Sequence, residues 1–185
     1  MNPHSPSEAE LLAGCLEGQR KAQRTLYEQY QQHMFAVCLR YAPNRVVAED
    51  LLQEGFYRVF KELGSYRGEG ALGGWIRKVI VRTALDFLKK ERRDWARREK
   101  VGAERPESWD GESALIGQMG ADFILELLQK LPAGYRAVFN LYAIEGYSHR
   151  EISEQLGIAE STSRSQYVRA RQMLAQQLTS LDKTL

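Results

Sequence analysis

Cysteine is nearly absent: the 185 residues include two, Cys15 and Cys38, and neither has a CxxC partner. That spacing excludes a disulfide scaffold and the usual zinc arrangements. Both fall in stretches of helical patterning and read as small buried apolar residues of a reducing compartment. His33 precedes Cys38 by five positions, off the spacing of four that puts two ligands on one helix face, so no metal site is assigned. Long apolar runs are missing as well, and none approaches the ~20 residues that span a bilayer. Met1 to Glu10 lacks the basic-then-apolar order of a secretory leader. The expectation is a cytoplasmic, soluble protein. Strand patterning is absent too, as are HExxH, GxSxG and P-loop sequences. One glycine motif is literal: Gly68-Glu69-Gly70-Ala71-Leu72-Gly73 spells GxGxxG. A dinucleotide site needs a strand before it and an acid about twenty residues on. Here a helical pattern precedes it, and Arg92-Arg93 stand where the acid belongs. The chain is therefore read as a non-enzyme with no cofactor.

What is present is helix and segregated charge. Apolar residues make up 43% of the chain, and the formal net charge is only +2. From Gly74 to Lys100, however, there are ten basic residues (Arg77, Lys78, Arg82, Lys89, Lys90, Arg92, Arg93, Arg97, Arg98, Lys100) against four acids (Asp86, Glu91, Asp94, Glu99). The next stretch, Val101 to Glu126, carries six acids against one arginine. A basic block beside an acidic one points to a polyanionic partner for the first.

The apolar spacing predicts helices over Ser7–Leu16, about Lys21–Tyr41, about Val46–Leu63 and Trp75 to about Arg93. Pro43-Asn44 and the glycine-rich loop Tyr66–Gly74 separate the later ones. Between about Ala96 and Gly120 the periodicity dissolves into glycine, proline and acids, which reads as a flexible linker. Helices resume over Ala121–Lys130, Pro132–Ile144, His149–Leu156 and Glu160–Leu178. The expected fold is all-α. Residues 1–95 form one helical domain, 96–120 the linker, and 121–185 a second helical domain.

The second domain carries the sharper motif. Ser148 and Glu151 make a capping box, Ile152 and Leu156 face inward, Gly157 permits a tight turn, and another helix starts near Glu160. This is a helix-turn-helix pattern, whose second helix enters the DNA major groove. On that helix Arg164, Ser165, Val168 and Arg169 share one side. Arginine can pair bidentately with guanine, Gln166 can pair with adenine, and serine suits either. Ser161, Thr162 and Arg171 read as phosphate contacts, which position without specifying.

The two halves together resemble a known family. In order along the chain stand Ala48-Glu49-Asp50-Leu51-Leu52-Gln53-Glu54-Gly55-Phe56, Tyr66-Arg67-Gly68-Glu69, Trp75-Ile76-Arg77 and Thr83-Ala84-Leu85-Asp86-Phe87-Leu88-Lys89-Lys90. Leu131-Pro132, Tyr135-Arg136, Phe139, Glu145-Gly146-Tyr147-Ser148, Glu151-Ile152 and Arg169-Ala170-Arg171 follow. This series, from about Glu8 to Leu178, resembles the extracytoplasmic-function (ECF) RNA polymerase sigma factors.

The resemblance implies that Asp50, Gln53 and Glu54 dock on the clamp helices of core RNA polymerase. It implies that the second domain docks near the flap and reads the promoter −35 element. By the same resemblance, Tyr66, Arg67 and Trp75 capture the melted −10 element while Lys78, Arg82, Lys89 and Arg93 line its phosphates. It also implies an anti-sigma factor, often anchored in the inner membrane. The chain departs from the family's usual pattern in its loop glycines at 68, 70, 73 and 74, in Ser163 and Gln166, and in Ala159 at a capping position. A stand-alone helix-turn-helix regulator dimerising through its N-terminal helices, and a purely protein-binding helical adaptor, are the rival readings.

Overall fold

The computed structural model describes residues 7–99 and 121–182. Among them are eight α-helices and no strand. The first four are α1 (Glu8–Leu16), α2 (Arg20–Tyr41), α3 (Arg45–Glu62) and α4 (Leu72–Glu99), with a 3₁₀ turn at Leu63–Ser65. The next four are α5 (Ala121–Gln129), α6 (Ala133–Phe139), α7 (His149–Leu156) and α8 (Glu160–Asp182). A π-helical turn, Asn140–Ile144, continues directly from α6.

Local chemistry starts these helices where the sequence places them. Ser7 accepts from the Glu10 amide while the Glu10 carboxylate accepts from the Ser7 amide at 2.8 Å, a closed capping box on α1. Asn44 caps α3 by accepting from the Val47 amide at 2.9 Å. Helix α4 begins at Leu72, three residues ahead of Trp75, because Leu72 is buried and Gly73 lies against α2. A Cβ on Gly73 would sit 2.9 Å from the Tyr30 ring. At its other end α4 runs through the first four linker residues, Ala96–Glu99. The rest of the acidic linker, 100–120, lies outside the described residues.

Helices α2, α3 and α4 pack as a bundle, with α1 laid against α2. Their common core includes Leu26, Val37, Cys38, Tyr41, Val59, Ile76 and Ile80, all at most 2% exposed. Both cysteines are free and buried, as expected. Burial pushes the Cys38 thiol up to about 12, so it is inert at neutral pH. In the second half α6 and α7 pack on α8. Leu128, Leu131 and Ala170 are buried there, with Tyr135, Phe139, Met173 and Leu174 against them. The halves are not independent. Val138, Leu141 and Ile152 of the second half are fully buried within the core of the first.

Gly55 lies where α3 packs on α4. A Cβ there would lie 2.3 Å from Ile80 Cδ1, and Ile80 is itself fully buried. Gly55→Ala should therefore overpack the seam and destabilise by about 1–3 kcal/mol, a drop of roughly 2–12 °C in Tm for a chain of this size. An unchanged thermal melt followed by circular dichroism would show that the helices separate at no cost.

Candidate nucleic-acid interface

The α7–α8 pair has the geometry that its sequence predicts. Ser148 accepts from the Glu151 amide at 3.3 Å, and the Glu151 carboxylate accepts from the Ser148 amide at 2.8 Å. The Glu151 carboxylate also accepts from the Ser148 hydroxyl at 2.7 Å, and this bond, followed by the one from the Ser148 amide, holds the Glu151 carboxyl below its ordinary range. Gly157 ends α7 at φ 62°, a left-handed conformation open to glycine at no steric cost. On α8, Ser161, Arg164, Ser165, Val168, Arg169 and Arg171 are exposed. Val168 is 52% exposed, an apolar side chain offered to solvent in the middle of a polar face. Arg164 is tethered to Glu160 at 2.5 Å, and the Arg169 guanidinium donates to the Tyr135 hydroxyl at 3.3 Å. The Arg171 guanidinium stands 5.9 Å from the Tyr167 ring centre. Thr162 and Gln166, four residues apart, are half-buried instead. Gln166 packs beside Gly134, which takes it off the exposed face.

A buried polar tie holds α8 on α7. His149 Nδ1 lies 2.9 Å from Ser163 Oγ, and Ser163 is fully buried. The His149 ring stacks on Tyr142 at 4.3 Å and 10°, with Tyr167 against both rings. Phe139 extends the group by stacking on Tyr167 at 6.0 Å. Ser163 thus departs from an aliphatic pattern because its neighbour is an imidazole that accepts or donates a hydrogen bond. Sequence reasoning missed this pair, since a fourteen-residue separation carries no periodic signal.

The residues expected at the −10 element gather on the outer side of α4 and its preceding loop. Tyr66 and Trp75 are half-buried with ring centres 5.7 Å apart. The Tyr66 hydroxyl donates to the Gly70 carbonyl at 2.7 Å, closing the loop. Gly68 and Gly70 have φ of 75° and 82°, so a turn that side chains rarely adopt explains two of the four loop glycines. Arg67, Lys78, Arg82 and Arg93 are exposed. Arg82 is bonded to Glu62, and Lys89 is 4.0 Å from Asp86. Asp86 also accepts from Arg58 at 2.7 Å, so two of the expected phosphate ligands already hold carboxylates.

On α3, Asp50, Gln53 and Glu54 are all exposed on one face, as the helical spacing requires. Glu54 is engaged with Arg58 at 3.0 Å. Two apolar side chains flank the acids, Val46 at 67% and Tyr57 at 64% exposed. Positions 46, 50, 53 and 57 form a single stripe, a signal present in the spacing that charge alone does not reveal. Among the described residues no group of three potential metal ligands occurs, and no helix is long and apolar enough to cross a membrane.

The least expected feature is a contact between the halves. Glu145 accepts from Arg77 Nε at 2.7 Å, from Arg77 Nη2 at 2.9 Å and from Arg40 Nη2 at 3.1 Å. Its side chain is 7% exposed. Asn140 Nδ2 donates to the Arg40 carbonyl at 2.7 Å, and Gln129 Nε2 to the Leu39 carbonyl at 3.3 Å.

His149 offers a direct test of the α7–α8 tie. Burial, and then the nearby Arg164 charge, lower its pKa below the ordinary value of 6.5, with Glu160 opposing. The unfolded chain therefore binds more protons below about pH 6.5, so stability falls as pH drops through that window. The wild-type Tm should decline there more steeply than that of His149→Gln. Parallel curves for the two proteins would show that this imidazole does not titrate on unfolding.

Comparison with known proteins agrees with this geometry. Residues 26–94 match the family Sigma-70 region 2, and residues 124–174 match Sigma-70, region 4. The chain is 28% identical to the ECF RNA polymerase sigma factor SigM of Mycobacterium tuberculosis over 97% of its own length and 88% of that protein. It is 26% identical to the ECF RNA polymerase sigma-E factor of Haemophilus influenzae, over 89% of this chain and 92% of the other. In fold it is similar to the sigma factor RpoE from Bartonella quintana, solved in complex with the anti-sigma factor NepR. That likeness has a TM-score of 0.53 at 19% identity and covers 84% of this chain and 96% of that one. With both regions matched in order and relatives aligned along nearly their whole length, the chain belongs to the extracytoplasmic-function RNA polymerase sigma factors.

Proposed function

We propose that this chain carries out promoter-specific initiation through three surfaces, each assigned to residues placed above. The acidic α3 face of Asp50, Gln53 and Glu54 docks on the clamp helices of core RNA polymerase, and the second domain docks near the flap. The exposed α8 face reads the −35 element, with Arg164, Ser165, Val168 and Arg169 at base edges. Ser161 and Arg171 contact phosphates, and Thr162 and Gln166 act from the border of that face. The Tyr66–Trp75 loop holds an unstacked −10 base, by stacking and edge hydrogen bonds. Lys78, Arg82, Lys89 and Arg93 track the strand. Residues 1–95, 96–120 and 121–185 serve as −10 domain, linker and −35 domain. We place the protein in the cytoplasm, as a binding factor rather than an enzyme. We also propose an anti-sigma partner, of the kind bound to the Bartonella relative.

The observation that carries this reading is one chain presenting an acidic docking stripe on α3 and an arginine-rich helix-turn-helix face on α8, both exposed. A stand-alone regulator needs only the second. Purified chain mixed with core polymerase should form a stable complex and start transcripts at one position on fragments from upstream of its own gene. No complex, with nanomolar duplex binding by the free protein, would instead make it an ordinary helix-turn-helix regulator. In the reconstituted system Arg164→Ala should cost about 1–3 kcal/mol and relax preference at one −35 base pair. Equal loss across all base substitutions would assign Arg164 to a phosphate.

A further inference from the structure

We infer that Glu160 is a specificity-determining residue of the −35 interface, whose carboxylate holds Arg164 in place for a guanine and itself accepts from the amine of a nearby cytosine. The inference rests on the proposed reading of α8 as the −35 helix. To that reading it adds one residue, one base and one direction of hydrogen bonding.

The first observation is an acid where a polyanion has to lie. Along the 23 residues of α8 the acids are Glu160 and Asp182, at opposite ends, while Arg164, Arg169 and Arg171 supply the positive charge. Asp182 is remote from the base-reading residues, but Glu160 stands among them. Positions 160, 164 and 168 are four apart, so they form one row along the helix, and all three are exposed. A phosphate repels a carboxylate, so this acid is unsuited to the backbone contacts that position a helix. In the major groove a carboxylate can accept only from the exocyclic amines, N4 of cytosine and N6 of adenine. Adenine carries its N7 acceptor beside that amine, which opposes a second negative group. Cytosine presents the amine alone.

The second observation is the tether. Arg164 Nη2 donates to Glu160 Oε1 at 2.5 Å. The two side chains are 64% and 44% exposed, so the pair adds little to the stability of the fold. Its effect is on geometry. A guanidinium has five N–H donors, and those left over suffice for both guanine acceptors, O6 and N7. The other Glu160 oxygen, Oε2, is left to accept from a base. Holding the long arginine before DNA arrives reduces the side-chain entropy lost on binding.

The third observation removes a competitor. Arg164 also lines a surface hollow with Ser148, His149 and Glu151. The Glu151 carboxylate there is already committed to the Ser148 amide at 2.8 Å and the Ser148 hydroxyl at 2.7 Å. Glu160 is therefore the carboxylate that orients Arg164. One step along the row rises about 6 Å at 1.5 Å per residue, close to two base steps of ~3.4 Å. Glu160, Arg164 and Val168 thus offer in sequence an acceptor for a cytosine amine, a fork for guanine and a methyl surface for thymine. A simpler role for Glu160 is to complement the helix dipole from the first turn of α8. That role carries no base preference.

The test uses the full chain with core polymerase and promoter fragments in which each −35 base pair is replaced in turn by the other three. Competitive binding is measured for wild type, Glu160→Ala, Glu160→Gln, Arg164→Ala and the Glu160→Ala/Arg164→Ala double variant. Glu160→Ala should flatten the preference at one base pair, where cytosine loses roughly 5- to 150-fold of its advantage. That pair should lie within about two of the one relaxed by Arg164→Ala. Glu160→Gln should move the same preference toward adenine, because an amide accepts from N6 and donates to N7. The double variant should lose less than the sum of the two single losses, as coupled neighbours do. Equal loss on every fragment would assign Glu160 to the helix dipole and overturn the inference. An unchanged profile, or relaxation confined to the Arg164 base pair, would overturn the cytosine contact. If Arg164→Ala relaxes its own pair while both Glu160 variants leave all preferences intact, the −35 reading of α8 stands and this inference alone fails. If wild type shows no −35 preference, or Arg164→Ala alters none, that reading falls and takes the inference with it.

Discussion

A carboxylate removed from water must be paired, and in this chain the pairing of Glu145 with Arg40 and Arg77 determines how the two halves meet. The end of α2 supplies Arg40 and two open carbonyls. The first turns of α4 supply Arg77, and the π-helical turn after α6 brings Asn140 and Glu145 to both. Apolar contacts accompany this pairing: Val138, Leu141 and Ile152 are buried in the core of the first half. Yet the match is incomplete, with buried donors and acceptors left open at the same seam.

The functional surfaces divide by the physics that each must use. Phosphate recognition needs mobile positive charge, and the α4 stripe proposed for it lies at the edge of a helix whose other face buries Ile76, Ile80 and Ala84. Two of those cations rest on carboxylates in the free chain, Arg82 on Glu62 and Lys89 near Asp86. Such exposed pairs are weak, so a phosphate can displace them. Base reading needs a helix held at a fixed height and angle. Here an aromatic group of Phe139, Tyr142, His149 and Tyr167, with the His149–Ser163 bond inside it, seats α8. The α3 stripe that we propose for polymerase docking needs neither mobility nor depth, and its acids stand exposed between Val46 and Tyr57.

Much of this was open to a reader of residues in order. Helical periodicity, the Ser7 and Ser148 capping boxes, Gly157 after α7, the exposed arginines of α8 and the acids of α3 all follow from spacings of three and four. Those spacings act within one helix, where backbone geometry converts sequence distance directly into direction. Boundaries were less legible. Helix α4 starts at Leu72 because Gly73 lets it approach Tyr30, and it runs on to Glu99 through residues that look like linker. The segment Pro132–Ile144 is helical throughout, yet only its first part is α-helix.

What order alone could not reveal lies between residues far apart. Glu145 meets Arg77 across 68 positions and Arg40 across 105, and Ser163 meets His149 across fourteen. No propensity or period encodes such pairs; each arises because packing removes water from a charge or a hydroxyl and leaves one neighbour to satisfy it. The residue types and their local spacing therefore determined the all-α class, the helix-turn-helix and the family. Tertiary packing decided which charges stayed exposed, which were spent on each other, and that the two halves rest face to face, since desolvation acts on neighbours in space.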